Sequence, residues 1–240
     1  MSGAMIYDGY DFAHVLRIDG IRRPVMPKLD LQTEDRSGDG ARLSAVRFEP
    51  LTIDVKVCLY RPFEEVGTKE GFERARRLLQ KRLFRRKPCK LILPDAPDVY
   101  NMAVLDGSTD LERIAWSATG TLSFFCPDPV GYGALRCREW GGGPDMLRVN
   151  VGGTYPTAPV VTVEADTANL TVVCDGSAMR VLGDAVAGQP VVVDCTSHVC
   201  TAAGRPVMLD ALDDYAVWTP GVHTLQCDYP FRVEWRERWL

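Results

Sequence analysis

Close pairs of metal-ligating residues are missing from this chain. Its eight cysteines (58, 89, 126, 137, 174, 195, 200 and 227) are scattered without a single Cys-x-x-Cys, and the three histidines, His14, His198 and His223, are as dispersed. Zinc sites are built on closely paired ligands, so no metal site is expected. Also absent are a Gly-x-Ser-x-Gly elbow, a phosphate-binding glycine loop and a His-Glu-x-x-His pair, which removes the common hydrolase, nucleotide and metalloprotease readings. No apolar run approaches the roughly 18 residues of a membrane span. A net charge of only −4 leaves no global footprint for nucleic acid or an acidic membrane. The opening residues, Met1 to Tyr10, lack a basic-then-apolar secretory pattern. The chain is therefore expected to stay in the cytoplasm where it is made, with free thiols acting as small hydrophobes.

What the chain does have is alternation. Leu111 to Cys126 places Ile114, Trp116, Ala118, Leu122, Phe124 and Cys126 on one parity and Arg113, Ser117, Thr119, Thr121 and Ser123 on the other. That period of two predicts a long half-buried strand, bent at Gly120. Cys126-Pro127-Asp128-Pro129 stops it, since two prolines remove two ladder donors. The chain leaves its sheet there without immediate re-entry. Upstream, residues 6–26 read as two short strands with a turn at Asp19-Gly20, and Thr33–Gly40 as a polar loop or the tip of an arm. Leu51, Ile53, Val55, Val57 and Leu59 alternate with Thr52, Asp54 and Lys56 in a strong strand, and Cys89–Leu93 and Val99–Leu105 are two more.

One helix is predicted, from Lys69 to Arg86, capped by Thr68 and carrying an apolar stripe of Phe72, Ala75, Leu79 and Leu83. It is also the most basic segment of the chain. A nucleic-acid reading lacks an aromatic platform, so a solvated face or a charged subunit contact fits better. Arg74, Arg77, Lys81 and Arg85 along this helix, with Glu34, Asp35 and Arg36 in the polar arm, are the candidate subunit-interface residues.

Beyond Tyr132-Gly133 a linker carries Gly141-Gly-Gly-Pro144, and eight short apolar runs follow between Leu147 and Trp235, without helical periodicity. They predict an antiparallel sandwich of jelly-roll type. The chain as a whole reads as mainly β in two domains: 1–135, an α+β unit with one helix on a sheet, and 146–240, a β-sandwich. Asp95, Asp98, Asp106 and Asp110 stand in the neighbourhood of Pro or Gly as turn-formers, and His198 with Cys200 is no dyad. No catalytic residue and no cofactor is expected.

The order of these motifs resembles the siphophage distal tail proteins. The resemblance is carried by Leu93-Pro94-Asp95 to Tyr100, Leu105-Asp106-Gly107, Phe124-Phe125-Cys126-Pro127-Asp128-Pro129 through Tyr132-Gly133, Asn150-Val-Gly-Gly-Thr154, Val192-Val193-Asp194, Thr219-Pro220-Gly221 to Leu225, and Val233 to Leu240. It covers nearly the whole chain. It implies a tail-tube-like first domain assembling as a homo-hexamer around a channel through which DNA only passes, and a galectin-like second domain. It further implies a virion tail-tip location in a phage or prophage, assembly in the bacterial host cytoplasm, and no membrane insertion. The implied partners are the tail tube protein, the tail-tip hub protein and, in some relatives, receptor-binding proteins. The family pattern carries over no binding site. The alternative from another class is a carbohydrate-binding module for host-surface attachment, with Trp235 and Trp239 as candidate sugar platforms.

Overall fold

The computed structural model describes residues 4–59, 68–107, 119–165, 170–182 and 189–240. Two compact units emerge, Met1–Gly131 and Tyr132–Trp239. Each has its own hydrophobic core.

The first unit runs β1 (Ile6–Tyr7), β2 (Tyr10–Asp11), β3 (Leu16–Arg22), β4 (Leu29–Asp35), β5 (Ala41–Phe48), β6 (Leu51–Leu59), α1 (Lys69–Leu83), β7 (Cys89–Leu93), β8 (Ala96–Leu105) and β9 (Thr119–Cys126). Its antiparallel pairings follow the order β2-β1-β7-β8-β9-β6-β3. Parity dictates the core: Leu51, Ile53, Val55, Val57 and Leu59 of β6 are buried, and Ile53 and Val55 stand opposite Phe124 and Leu122 of β9. On the other face the Ser123 hydroxyl donates to Asp54 at 2.8 Å. Tyr7 packs its ring 5.2 Å from that of Phe124 and donates its hydroxyl to the Ala103 carbonyl. Leu79 and Leu83 bring one side of α1 into the same core.

Several local expectations are corrected. Asp19-Gly20 is no turn: β3 passes straight through it, and the pairing with β6 absorbs Asp19 as a bulge between Ile18 and Gly20. Thr33–Gly40 is not a loop throughout, since β4 extends to Asp35 and only residues 36–40 turn. The helix stops at Leu83 rather than Arg86, because Phe84 swings into extended geometry while its N–H still reaches the Gln80 carbonyl. Arg85 then covers the exposed carbonyls of Lys81 and Phe84. Thr68 caps the helix as expected, its hydroxyl accepting from the Gly71 N–H at 3.1 Å. In β9, Leu122, Phe124 and Cys126 are buried as their parity requires, and Gly120 pairs in regular register with Val57. Asp110, Arg113, Ile114, Trp116, Ser117 and Ala118, and the side chains of Phe72 and Ala75, lie outside what is described.

The second unit holds β10 (Gly131–Trp140), β11 (Leu147–Val151), β12 (Val160–Ala165), β13 (Leu170–Cys174), β14 (Ser177–Leu182), β15 (Gln189–Asp194), β16 (Val199–Ala202), β17 (Arg205–Leu209), β18 (Gly221–Gln226) and β19 (Phe231–Trp239). One antiparallel set is β11-β18-β13-β14 and the other β10-β19-β12-β15-β16, with β17 pairing to both β14 and β16. The expected linker after Gly133 is in fact β10. The polar alternation of its Arg136, Arg138 and Glu139 carries no apolar run for the eye to find. The irregular part shrinks to the glycines and proline that follow Trp140. Trp218 and Trp235 meet edge-to-face inside this core, 5.7 Å apart.

Candidate functional site

The described residues contain no group of three or more His, Cys, Asp and Glu side chains placed to hold a metal ion. The cysteines are unpaired thiols. Burial pushes Cys126 and Cys195 up to about 12, and Cys174 and Cys200 to about 11, so each stays a protonated, unreactive thiol at neutral pH. Cys200 is buried, whereas His198 sits in the turn before β16 at φ 55° and stacks on Tyr215. Trp235 belongs to the core and Trp239 is partly exposed, so they form no common sugar platform.

One surface that calls for an explanation lies in the first unit. Strands β4 and β5 pair with each other over their full length and with no other strand among the described residues. Register places Leu29, Leu31 and Thr33 on the same face as Phe48, Val46 and Leu43, with Ser44 as the extra residue of a bulge whose hydroxyl bonds the Gln32 carbonyl at 3.0 Å. Asp30, Gln32 and Arg47 take the opposite face. The ribbon is thus amphipathic, yet Leu31, Leu43 and Val46 are 56%, 54% and 50% exposed. This uncovered apolar face escaped the sequence reading because the bulge interrupts the alternation of β5. A signal was nonetheless present in Leu29-x-Leu31-x-Thr33. Its base is tied by a Lys28–Glu49 ion pair at 2.8 Å and by the Glu49 N–H to the Lys28 carbonyl. Glu34, Asp35 and Arg36 sit exposed at its far end.

On α1 the expected contact residues separate. Arg74, Arg77 and Lys81, spaced three and four apart, are exposed along one side, with Arg77 3.8 Å from Glu73. Arg85 does not join them. Its guanidinium bonds Asp8 at 2.5 Å, and that hydrogen bond holds the Asp8 carboxyl below its usual range. Arg82 turns in over the Tyr10 ring at 4.2 Å. The basic helix is therefore partly a structural strap onto β1 and β2. It is not a uniform cationic face.

Two family models match. A phage tail protein RIFT-related domain aligns with residues 13–126, and the C-terminal domain of siphovirus-type tail components with residues 152–239. Together they span most of the chain. The chain belongs to the siphophage distal tail protein family. Among solved structures it resembles the Dit protein of phage SPP1, described as a paradigm of the hub adsorption apparatus in phages infecting Gram-positive hosts. The identity is 18%, the TM-score 0.77, and the alignment covers 99% of each chain. A component of the phage P2 baseplate in its activated conformation with Ca aligns at 9% identity, TM-score 0.45 and 97% of each chain. No curated protein sequence matches. In this family member the interval between the two matched domains includes Pro127 to Val130, where the Asp128 carboxylate accepts from the Val130 N–H at 3.1 Å, and then β10.

Proposed function

We propose that this tail component is a non-enzymatic adaptor. Six copies close into a ring that joins the tail tube to the tail-tip hub of a long non-contractile tail, with DNA passing through the channel. The protein is made and assembled in the bacterial cytoplasm and carried in the virion at the tail tip, where its second unit is available to receptor-binding proteins. The observation that carries this reading is the β4–β5 ribbon. An isolated two-stranded hairpin is marginal in water, so an apolar face exposed to half its area on such a ribbon calls for a surface from another chain. A ring supplies one to every copy, because each subunit offers a front to the next one's back. The full-length likeness to the SPP1 Dit protein supports the same reading.

The experiment is electron microscopy and mass photometry of the purified protein at tens of micromolar, alone and with its tail-tip partner. Closed six-membered rings are expected. Replacing Leu31 and Val46 with Asp, or deleting Glu34–Gly40, should dissolve or weaken the rings while circular dichroism stays unchanged. A wild-type protein that stays monomeric in both conditions and does not join partner particles defeats the adaptor reading.

A further inference from the structure

The first unit also carries a groove whose chemistry complements its own ribbon. The last turn of α1 and the end of β8 wall an open groove of about 690 Å³, with Lys81 and Phe84 on the helix side and Leu105 on the strand side. Phe84 is 64% exposed, because at that residue the chain has left the helix and no longer follows Leu79 and Leu83 into the core. Arg77 and Lys81 stand at steps of four and three before it, both exposed. Arg85 lines the groove too, but its guanidinium is bound to Asp8. The strand side ends in a carboxylate, Asp106, so positive charge is confined to the helix side.

On the ribbon, register sorts the charges by face. Leu31, Leu43 and Val46 share theirs with Asp35, its single charged residue. Asp30 and Glu34 lie on the opposite face, each directly across from an arginine, Arg47 and Arg42. The polar face thus matches its charges within the ribbon, and the apolar face does not.

We propose that the groove receives the β4–β5 ribbon of a second copy of this chain, with Leu31 and Val46 against Phe84 and Leu105, and Asp35 against Lys81 and Arg77. The contact presupposes the ring reading and supplies the surface that each ribbon enters. Lengths agree. Leu31 to Asp35 covers about 13 Å of strand, and Phe84 back to Arg77 about 10 Å along the helix axis. An apolar face with one carboxylate at its far end therefore lies on an apolar groove with two cations beyond it. Asp106 repels Asp35 from the other wall, so the ribbon enters one way round. Its seven paired residues project roughly 20 Å from their base, enough to leave one subunit and lie on the next. The ribbon springs from β6 and the groove is walled by β8, with β9 between them in the sheet. Front and back are thus different surfaces, as a closed ring requires.

The test is sedimentation of the full-length protein over a concentration series, with melting curves of each variant. Phe84→Asp should raise the concentration of half-assembly at least about tenfold, with the melting temperature of the monomer unchanged. Asp35→Lys and Lys81→Glu should each raise it about threefold or more, and the two together should return it to within about twofold of wild type. If Phe84→Asp assembles like wild type while Leu31→Asp does not, the groove is overturned and the ring reading stands. A double variant no better than its singles overturns the groove as well. So does a Phe84→Asp monomer that melts well below wild type, which would show the groove filled from within its own chain. Wild-type protein that never associates removes the ring reading and this contact with it.

Discussion

At the scale of single residues, Gly153 and Asp175 show how backbone and charge fix the second unit. Gly153 has φ +99°, and a Cβ there would fall against the Arg238 carbonyl within contact distance. Gly153→Ala should therefore destabilise the protein by more than about 1 kcal/mol, read as a lowered midpoint in urea. Asp175, at φ 49°, accepts from the Thr224 N–H at 2.8 Å and lies 2.6 Å from His223 Nδ1, while His223 Nε2 lies 2.6 Å from the Thr219 carbonyl. Burial alone would raise the Asp175 carboxyl. The bonds from His223 and Thr224 outweigh it and hold the carboxyl below its ordinary range. A depressed carboxylate contributes stability that is present above its unfolded value, near pH 4, and is lost as pH falls through the lower folded value. Asp175→Asn tolerates the left-handed backbone but not the charge. Its stability deficit against wild type should be full at pH 6 and shrink steadily below pH 4 in denaturation series. A deficit independent of pH would assign the effect to shape alone. Phe124, fully buried opposite Ile53, should cost about 3–5 kcal/mol on truncation to alanine; a loss below about 1 kcal/mol would reverse the assigned faces of β9.

At the scale of elements, the ribbon and the helix differ in what holds them. The helix is anchored at both ends: Thr68 satisfies its first turn, while Arg85 bridges Asp8 and the last carbonyls. Thr68→Ala should lower stability by about 1 kcal/mol, and Arg85→Ala should loosen the contact with β1 and β2 without altering ring formation. A loss of rings in Arg85→Ala, with the fold retained, would return Arg85 to the interface beside Arg74, Arg77 and Lys81. The ribbon is held by its ladder, the Ser44 bond to Gln32 and the tie at Lys28–Glu49, so its backbone amides should show little hydrogen-exchange protection in the monomer. Their ladder should become protected when copies associate.

At the scale of the whole molecule, two cores imply two cooperative units, and their boundary bears on how the protein can be dissected. Strand β10 pairs with β19 and so completes one sheet of the sandwich. A fragment of residues 131–240 should fold and melt at a higher temperature than one of 146–240, which exposes the edge of β19. Equal melting points would show that β10 contributes nothing to the sandwich and would favour a boundary after Gly143.

The sequence determined the elements whose two faces differ in polarity. β7 could be read to the residue, and the buried parity of β6 in full, because alternation and a sharp turn bound each of them, and Thr68 announced its helix by its chemistry alone. The two-domain, mainly β character followed from the change of texture around Pro127–Pro144, and the family resemblance from motifs that are local in the chain. What lay hidden was whatever depends on a partner strand. β10 carries Arg136, Arg138 and Glu139 in its later half and takes its ladder from elsewhere in the chain, β19 included. Asp19 is a bulge only because β6 continues past it. The same holds for the candidate surfaces. Sequence placed Arg85 with the other helix cations, and tertiary structure drew it to Asp8, 77 residues away in the chain. Side-chain periodicity encodes which way a residue points within its own strand, whereas the neighbour it meets is decided by register across the sheet, and no single stretch of sequence carries that information.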